Sequence, residues 1–179
     1  MNLCIDLEAT CWREEQKDCM MQIMETIEIG AVIVDNKMDV VSEFNMFIQP
    51  VLNPTLSKYC KDLTHIKQSD VNEAHIFPFV WDKFNNWIGE YNPKKFVSWG
   101  DYDNKQLRKD CLLHRVEMFN IPHTNIKQVV LDKYGITSKR KGMDHIMKKV
   151  GMEFVGTRHR AIDDVKNMII LLKKVAVVI

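Results

Sequence analysis

The spacing of hydrophobic residues changes between the two halves of the chain, and this change constrains the fold more than any other feature. Three segments in the first half, residues 3–7, 26–34 and 40–48, are rich in Ile, Val and Leu and have the length of strands. The turn-forming sequence Asp35-Asn36-Lys37 separates the second and third segments. It predicts an antiparallel hairpin there.

The second half switches to helical spacing. Apolar residues at 77, 80, 81, 84, 87 and 88, with Pro78 in the first turn, predict an amphipathic helix. A buried strand is predicted at 96–99 and a helix from about 104. Further helices are predicted at 143–150, ended by Gly151, and from about 161. Strands followed by alternating helix and strand predict an α/β sandwich with a mixed sheet.

Length and composition fit one globular domain over residues 1–179, and they argue against several other classes. With 46% hydrophobic and 27% charged residues, the chain is unlike collagenous, disordered or coiled-coil sequences. Its five cysteines contain no C-x-x-C pair, which argues against a disulfide scaffold and a structural zinc site. The N-terminus does not resemble a signal peptide, and the longest apolar runs near the C-terminus are far shorter than a membrane span. We therefore expect a cytoplasmic protein without a membrane partner.

Two carboxylates stand in the otherwise apolar first strand. Asp6 and Glu8 are two residues apart, so a strand places both side chains on one face. A buried strand accepts two like charges only when cations or protons offset them. The alternative is that Glu8 already lies in an exposed loop.

Two further acidic groups come at junctions between elements. Asp103 follows the strand at 96–99 and precedes a helix, where it could instead be an N-cap. His159 and Asp164 form an H-x4-D pair at the start of the last helix, where capping is again the alternative and Asp163 could serve equally well. The spacing alone is not specific, because His65 and Asp70 share it.

Charge is distributed unevenly along the chain. Residues 1–36 contain eight acidic and two basic residues, whereas residues 137–160 contain seven basic and two acidic ones. If the fold brings the two segments together, a carboxylate pocket acquires a basic rim, which suits a phosphate-bearing polymer and divalent cations. The alternative is a solvated basic loop.

The ordered pattern Asp-x-Glu, Asp, His-x4-Asp resembles the DEDDh family of 3′-to-5′ exonucleases. Residues 6–12 (DLEATCW) resemble the first motif of the subgroup that contains the enhanced-RNAi and 3′ histone mRNA exonucleases and the bacterial KapD-like proteins. Similar stretches follow in the family's order at 25–32, 63–66, 98–103 and 159–167. The resemblance implies an RNase H-like three-layer sandwich. Its mixed five-stranded sheet would have the order 3-2-1-4-5, with strand 2 antiparallel and helices on both faces.

The same resemblance implies a hydrolase that removes nucleoside 5′-monophosphates from the 3′ end of single-stranded nucleic acid, with RNA favoured over DNA. It makes Asp6, Glu8, Asp103 and Asp164 the ligands of two Mg²⁺ or Mn²⁺ ions and His159 the general base. Asp6 would bridge the ions, Glu8 and Asp164 would complete the first site, and Asp103 would hold the second.

Substrate contacts are implied for two segments. Backbone near Ala9 and Thr10 would meet the terminal 3′-hydroxyl, while Trp12, Leu63 or Ile66 would pack on bases. Trp12 could instead close the core.

His65 stands where many relatives have glycine, which puts substrate preference in doubt but not the reaction. The competing hypotheses are a non-catalytic RNA- or DNA-binding module and an endonuclease of related fold. A monomer and a homodimer are both compatible with the sequence.

Overall fold

A five-stranded mixed sheet runs through the structure, which is a computed structural model describing residues 1–15, 23–136 and 142–177. Its strand order is β3-β2-β1-β4-β5, and β2 is antiparallel to both neighbours while β1, β4 and β5 are parallel. The strands are β1 (Asn2–Ala9), β2 (Thr26–Val34), β3 (Val40–Phe47), β4 (Phe96–Ser98) and β5 (His123–Asn125). This order and the single antiparallel direction confirm the predicted architecture.

Helices cover both faces of the sheet. In chain order they are α1 (Lys58–Thr64), α2 (Gln68–Asn72), α3 (Phe77–Tyr91), α4 (Tyr102–His114), α5 (Ile126–Lys133), α6 (Met143–Lys149) and α7 (Ala161–Lys174). Within the described ranges, no helix is both long and apolar enough to cross a bilayer.

The alternation of side chains along β1 divides the core into two layers. Leu3, Ile5 and Leu7 pack with residues of α3 and α4 on one face of the sheet. Cys4 joins the opposite layer, which contains residues of α5, α6 and α7. Because the side-chain period of a strand is two, Asp6 and Glu8 share the face of Cys4, the face that α7 covers.

Several element boundaries differ from those predicted. β1 continues to Ala9, so Glu8 lies within the strand and the interpretation that placed it in an exposed loop is wrong. α4 begins at Tyr102 rather than near 104. Asp101 is its N-cap residue, so the N-cap role considered for Asp103 is also wrong. β5, α1, α2 and α5 are short elements whose positions the hydrophobic pattern did not predict.

A glycine in β2 fixes how closely α7 approaches the sheet. A Cβ added at Gly30 would lie 2.3 Å from the backbone carbon of Ala161 and 2.3 Å from the nitrogen of Ile162. Real Cβ atoms do not approach backbone at this distance, so a side chain at position 30 would displace the start of α7. The absence of a side chain therefore allows the first turn of α7 to rest on the sheet.

We expect Gly30→Ala to lower the free energy of unfolding by about 1–3 kcal/mol or more, because the contacting atoms are backbone and cannot rotate away. Urea unfolding followed by circular dichroism measures the change. Gly89→Ala is the matched control: Gly89 is exposed in α3, with nothing within 4 Å of an added Cβ. It should gain about 0.5–1 kcal/mol, since alanine is the better helix former. Equal effects of the two substitutions would contradict the close contact.

Candidate active site

Three segments place acidic side chains around the end of β1. β1 itself carries Asp6 and Glu8. α4 starts directly after β4, the parallel neighbour of β1, and holds Asp103 in its first turn with only 3% of its surface exposed. α7 holds Asp164 in its first turn. The structure thus brings the four predicted acidic residues together, although they come from three distant parts of the sequence.

His159 lies on the loop that leads into α7. Its backbone adopts a left-handed conformation with φ of 58°, which is uncommon for a residue with a Cβ. Asp163, the neighbour considered as an alternative to Asp164, turns away into this loop and accepts a hydrogen bond from the Thr157 N–H at 2.8 Å. The geometry therefore separates the two aspartates, with Asp164 in the cluster and Asp163 holding the loop.

These side chains line one cleft of about 360 Å³. Its walls are formed by Asp6, Leu7, Glu8, Trp99, Tyr102, Asp103, Gly142, Met143, Asp144, Arg158, His159 and Asp164. The cleft opens to solvent at the carboxyl ends of β1 and β4, the edge at which open α/β sheets bind ligands.

A partly buried ion pair fixes the loop of His159 over the sheet. Glu28, in register with Glu8 on the neighbouring strand, is 0% exposed. Its carboxylate accepts hydrogen bonds from Arg160 Nη2 at 2.8 Å, Arg160 Nε at 3.1 Å and the Ala161 N–H at 3.1 Å. The guanidinium also lies 5.0 Å from the centre of the Phe47 ring. Glu28 of β2 thus binds both the last residue of the His159 loop, Arg160, and the first residue of α7, Ala161.

The acidic cluster fits a divalent cation. One carboxylate oxygen from each of Asp6, Glu8 and Asp164 lies within 4.8 Å of the others, a spacing at which a single ion could contact all three. Asp164 Oδ2 is buried and has no hydrogen-bond partner, so its position is explained only if something else satisfies it. Hard divalent cations prefer such oxygen ligands. The donor set therefore fits the metal that the DEDDh pattern requires.

Burial and mutual repulsion raise the pKa values of the cluster. Desolvation is the largest cause for all four groups. The pKa rises to about 9 for Glu8, to about 7 for Asp103 and to about 6 for Asp164. The pKa of Asp6 rises well above its usual value, and the charges of Asp103, Asp164 and Glu8 add to the effect of burial. Without a cation, ionisation of these groups therefore lowers the stability of the folded protein.

His159 has the opposite shift. Burial lowers its pKa below the ordinary value for histidine, and the nearby His65 and Arg158 add to this effect while Asp144 opposes it. The imidazole is therefore neutral at neutral pH and able to accept a proton.

The residues predicted to contact substrate have different surroundings. Leu63 is partly exposed on α1, whereas Ile66 is 1% exposed within a small apolar cluster, which does not support its expected contact with a base. The Thr10 N–H donates a hydrogen bond to the Glu25 carbonyl at 2.8 Å, so this donor is already paired within the fold. Ala9 is buried at the end of β1, and Trp12 is partly buried in the loop that follows.

Parts of the predicted basic rim are already paired. Arg160 binds Glu28, and Arg158 contacts Asp144 at 2.9 Å. Lys148 and Lys149 are exposed on α6. The stretch 139–141 lies outside the described residues.

Two residues in or near the cleft were given no role from the sequence. Glu28 was quoted only as part of a family-like stretch, although an acidic residue within an apolar strand was the same signal that drew attention to Glu8. Trp99 has a buried Nε1 without a hydrogen-bond partner and lines the cleft with the carboxylates. From the sequence it was placed only in the predicted strand at 96–99 and in the family-like stretch at 98–103.

The chain matches one family model and several characterised proteins. A family model described as Exonuclease (RNase_T) matches residues 3–172. ERI1 exoribonuclease 2 of Xenopus laevis is 28% identical over 185 residues, which cover 91% of this chain and 26% of that protein. The 3′-5′ exoribonuclease 1 of Homo sapiens is 28% identical over 173 residues, covering 92% and 49%. The chain thus spans about a quarter to a half of these two relatives.

Solved structures show the same fold. The nuclease domain of 3′hExo, described as a DEDDh family member bound to rAMP, superposes with a TM-score of 0.88 and 26% identity, covering 97% of this chain and 90% of that one. Cell-death related nuclease 4 superposes with a TM-score of 0.84 at 23% identity, covering 97% and 62%. At 23% identity, the likeness to cell-death related nuclease 4 concerns the fold alone.

The raised pKa values predict how stability depends on pH without a metal. The folded protein keeps protons that the unfolded chain releases near pH 4, so the free energy of unfolding should fall as the pH rises from about 5 to about 9. The slope is about 1.4 kcal/mol per pH unit while one proton separates the two states. Urea unfolding in EDTA measures it.

Added Mg²⁺ should raise stability more at pH 8 than at pH 5.5, because protons compete for the same oxygens. Asp6→Asn should flatten the pH dependence, whereas Asp132→Asn, a change at an exposed aspartate of α5, should leave it unchanged. A wild-type protein whose stability does not decrease above pH 5 would contradict this electrostatic account.

Proposed function

Because residues 3–172 match its model, the chain belongs to the exonuclease family, in its DEDDh group, and we propose that it removes nucleotides from the 3′ ends of single-stranded RNA. The products would be nucleoside 5′-monophosphates. The observation that carries this proposal is the convergence of Asp6, Glu8 and Asp164, with ligand oxygens within 4.8 Å, in the cleft that also contains His159.

Two divalent cations, Mg²⁺ or Mn²⁺, are part of the proposal. Asp6, Glu8 and Asp164 would hold one cation, and Asp6 together with Asp103 would hold the second. Bound there, the cations would neutralise the carboxylates, polarise the phosphate and lower the pKa of a coordinated water. With their oxygens engaged as cation ligands, the four carboxylates would not be free to accept the proton of the attacking water, so this role falls to another group.

His159 is that group. Its neutral imidazole would accept the proton of the water that attacks phosphorus, and its place on a loop beside Asp164 keeps it at the cleft wall without making it a ligand. Glu28 is a positioning residue for this step, because it holds Arg160 directly after the histidine.

RNA is favoured as substrate by the relatives. Both named curated relatives are exoribonucleases, and the nuclease domain of 3′hExo was solved with rAMP bound. In this chain Leu63 and Trp12 are the partly exposed candidates for packing against a base. His65, exposed and left-handed with φ of 60°, follows Leu63 by two residues, and its side chain would distinguish this protein from relatives with glycine at that position.

We expect Asp164→Asn to reduce the rate of nucleotide release at least about a thousandfold, since losing one cation ligand removes several kcal/mol of transition-state stabilisation. The assay uses 5′-labelled and 3′-labelled single strands of RNA and DNA with Mg²⁺. Asp163→Asn is the matched control and should retain activity within a few-fold, because Asn still has an oxygen to accept the Thr157 N–H.

The same assay separates the competing functions. Wild-type protein should shorten the 5′-labelled strand stepwise and release labelled mononucleotide at once from the 3′-labelled strand. Internal cuts would indicate an endonuclease, and retention without cleavage would indicate a binding module. Full activity of Asp164→Asn would exclude the assigned site.

His159→Ala should lower kcat by about 10²–10⁴-fold while changing RNA affinity little, because the imidazole moves a proton and holds no ligand. Since the pKa of His159 is lowered, the wild-type rate should stay high down to pH values below 6.5 and then decline as the imidazole becomes protonated. Single-turnover rates across pH 5–9 test both statements. If His159→Ala kept the wild-type rate and pH profile, His159 would not be the general base.

A further inference from the structure

Two cysteine thiols lie in contact beside the end of β1, and nothing in the proposed reaction uses them. Cys11 follows β1 by two residues and is partly exposed, whereas Cys60 lies in α1 and is 0% exposed. Their side chains form a hydrogen bond with each other. The Cys60 thiol also lies 3.7 Å from the Ala9 carbonyl oxygen, so it reaches the backbone of β1 itself.

The backbone around the two thiols holds them in this arrangement. Ser57 Oγ donates a hydrogen bond to the Cys11 carbonyl at 2.6 Å and accepts one from the Cys60 N–H at 2.9 Å. One serine thus connects the chain segments of both cysteines. Cys11 also packs against the small apolar cluster that contains Cys60. These contacts therefore hold the two cysteines close to each other.

The remaining described cysteines have different surroundings. Cys4 and Cys111 are buried in the two separate layers of the core, and burial raises the pKa of each thiol to about 12. Such thiols are unreactive at neutral pH. Beside β1, by contrast, the hydrogen bond between the two thiols lowers the pKa of Cys60 and raises that of Cys11. The two sulfurs therefore share one proton when the pair forms its first thiolate, and a thiolate is what disulfide chemistry requires.

We propose that Cys11 and Cys60 are a modification site, at which hydrogen peroxide forms a reversible disulfide that slows the nuclease. Cys11, the partly exposed member, attacks one peroxide oxygen, the O–O bond breaks, and the thiol proton leaves with the departing hydroxide as water. Cys60 then attacks the Cys11 sulfenic acid, the S–O bond breaks and a second water leaves. Two thiols are oxidised to one disulfide and one peroxide is reduced to two waters.

The location of the pair explains why a disulfide would affect the reaction. A disulfide bond is about 2.05 Å long, far shorter than a hydrogen-bond contact between two sulfurs, so its formation draws the loop after β1 towards α1. Trp12 and Leu63, the partly exposed candidates for base contacts, lie one and three residues from the two cysteines. The disulfide would therefore narrow the space between these side chains, a consequence that rests on the proposed function.

The first readout is chemical and does not depend on catalysis. The full chain is treated with hydrogen peroxide and digested with trypsin and Glu-C without reduction, so that Cys11 lies in the peptide 9–13, free of Cys4, and Cys60 in the peptide 59–61. Mass spectrometry should find these peptides joined, and dithiothreitol should separate them. Absence of the joined peptides, or a disulfide that joins Cys11 to Cys19 instead, would overturn the proposal.

The second readout is the rate of nucleotide release from single-stranded RNA before oxidation, after it, and after dithiothreitol. We expect at least a fivefold loss of kcat/KM in the oxidised wild-type protein and full recovery on reduction. Cys11→Ser and Cys60→Ser should keep their reduced rate in peroxide, whereas Cys19→Ser, the control, should remain sensitive. A disulfide that leaves the rate unchanged would overturn the proposal, as would equal sensitivity of Cys11→Ser. Failure of the proposed function is distinguishable, because the reduced protein would then show no cleavage.

Discussion

The seating of the first turn of α7 on β2 is the contact on which the site depends. Gly30 leaves room for the backbone of Ala161 and Ile162, and the buried carboxylate of Glu28 binds Arg160 and the Ala161 N–H. These contacts bring Asp164 over Glu8 and Asp6, although more than 150 residues separate them in sequence. Without this close approach, the Asp6 and Glu8 carboxylates of β1 would not have Asp164 of α7 beside them.

The site is built at a cost to the stability of the metal-free protein. Four carboxylates whose pKa values are raised by burial and by one another are an unfavourable arrangement for a fold alone. The buried Asp164 Oδ2 without a hydrogen-bond partner is part of the same cost. A cation turns these repulsions into ligand interactions, so the features that weaken the metal-free fold are those that would strengthen metal binding. Functional sites typically contain such groups, whose clustering lowers the stability of the fold.

Local signals in the sequence were sufficient for four of the five strands and for the placement of Asp6 and Glu8 on one strand face, whereas the strand order and the choice of Asp103 and Asp164 came from the family resemblance. Strand periodicity predicted β2 and β3, and a charge within an apolar strand marked Asp6. The role of Glu28 could not be predicted this way, since its partner Arg160 is 132 residues distant and the pairing depends on how α7 docks. The short helix α1 was also missed, because seven residues with a serine cap give a weak periodic pattern. Ile66 was assigned to the substrate from its motif, whereas packing buries it.

The central claim is that the acidic cluster exists to hold divalent cations, and anomalous diffraction from crystals grown with Mn²⁺ and adenosine 5′-monophosphate tests it most directly. The account predicts one peak within about 2.3 Å of oxygens from Asp6, Glu8 and Asp164, and a second peak beside Asp6 and Asp103. A well-ordered nucleotide in the cleft with no anomalous peak in contact with Asp6 would contradict it.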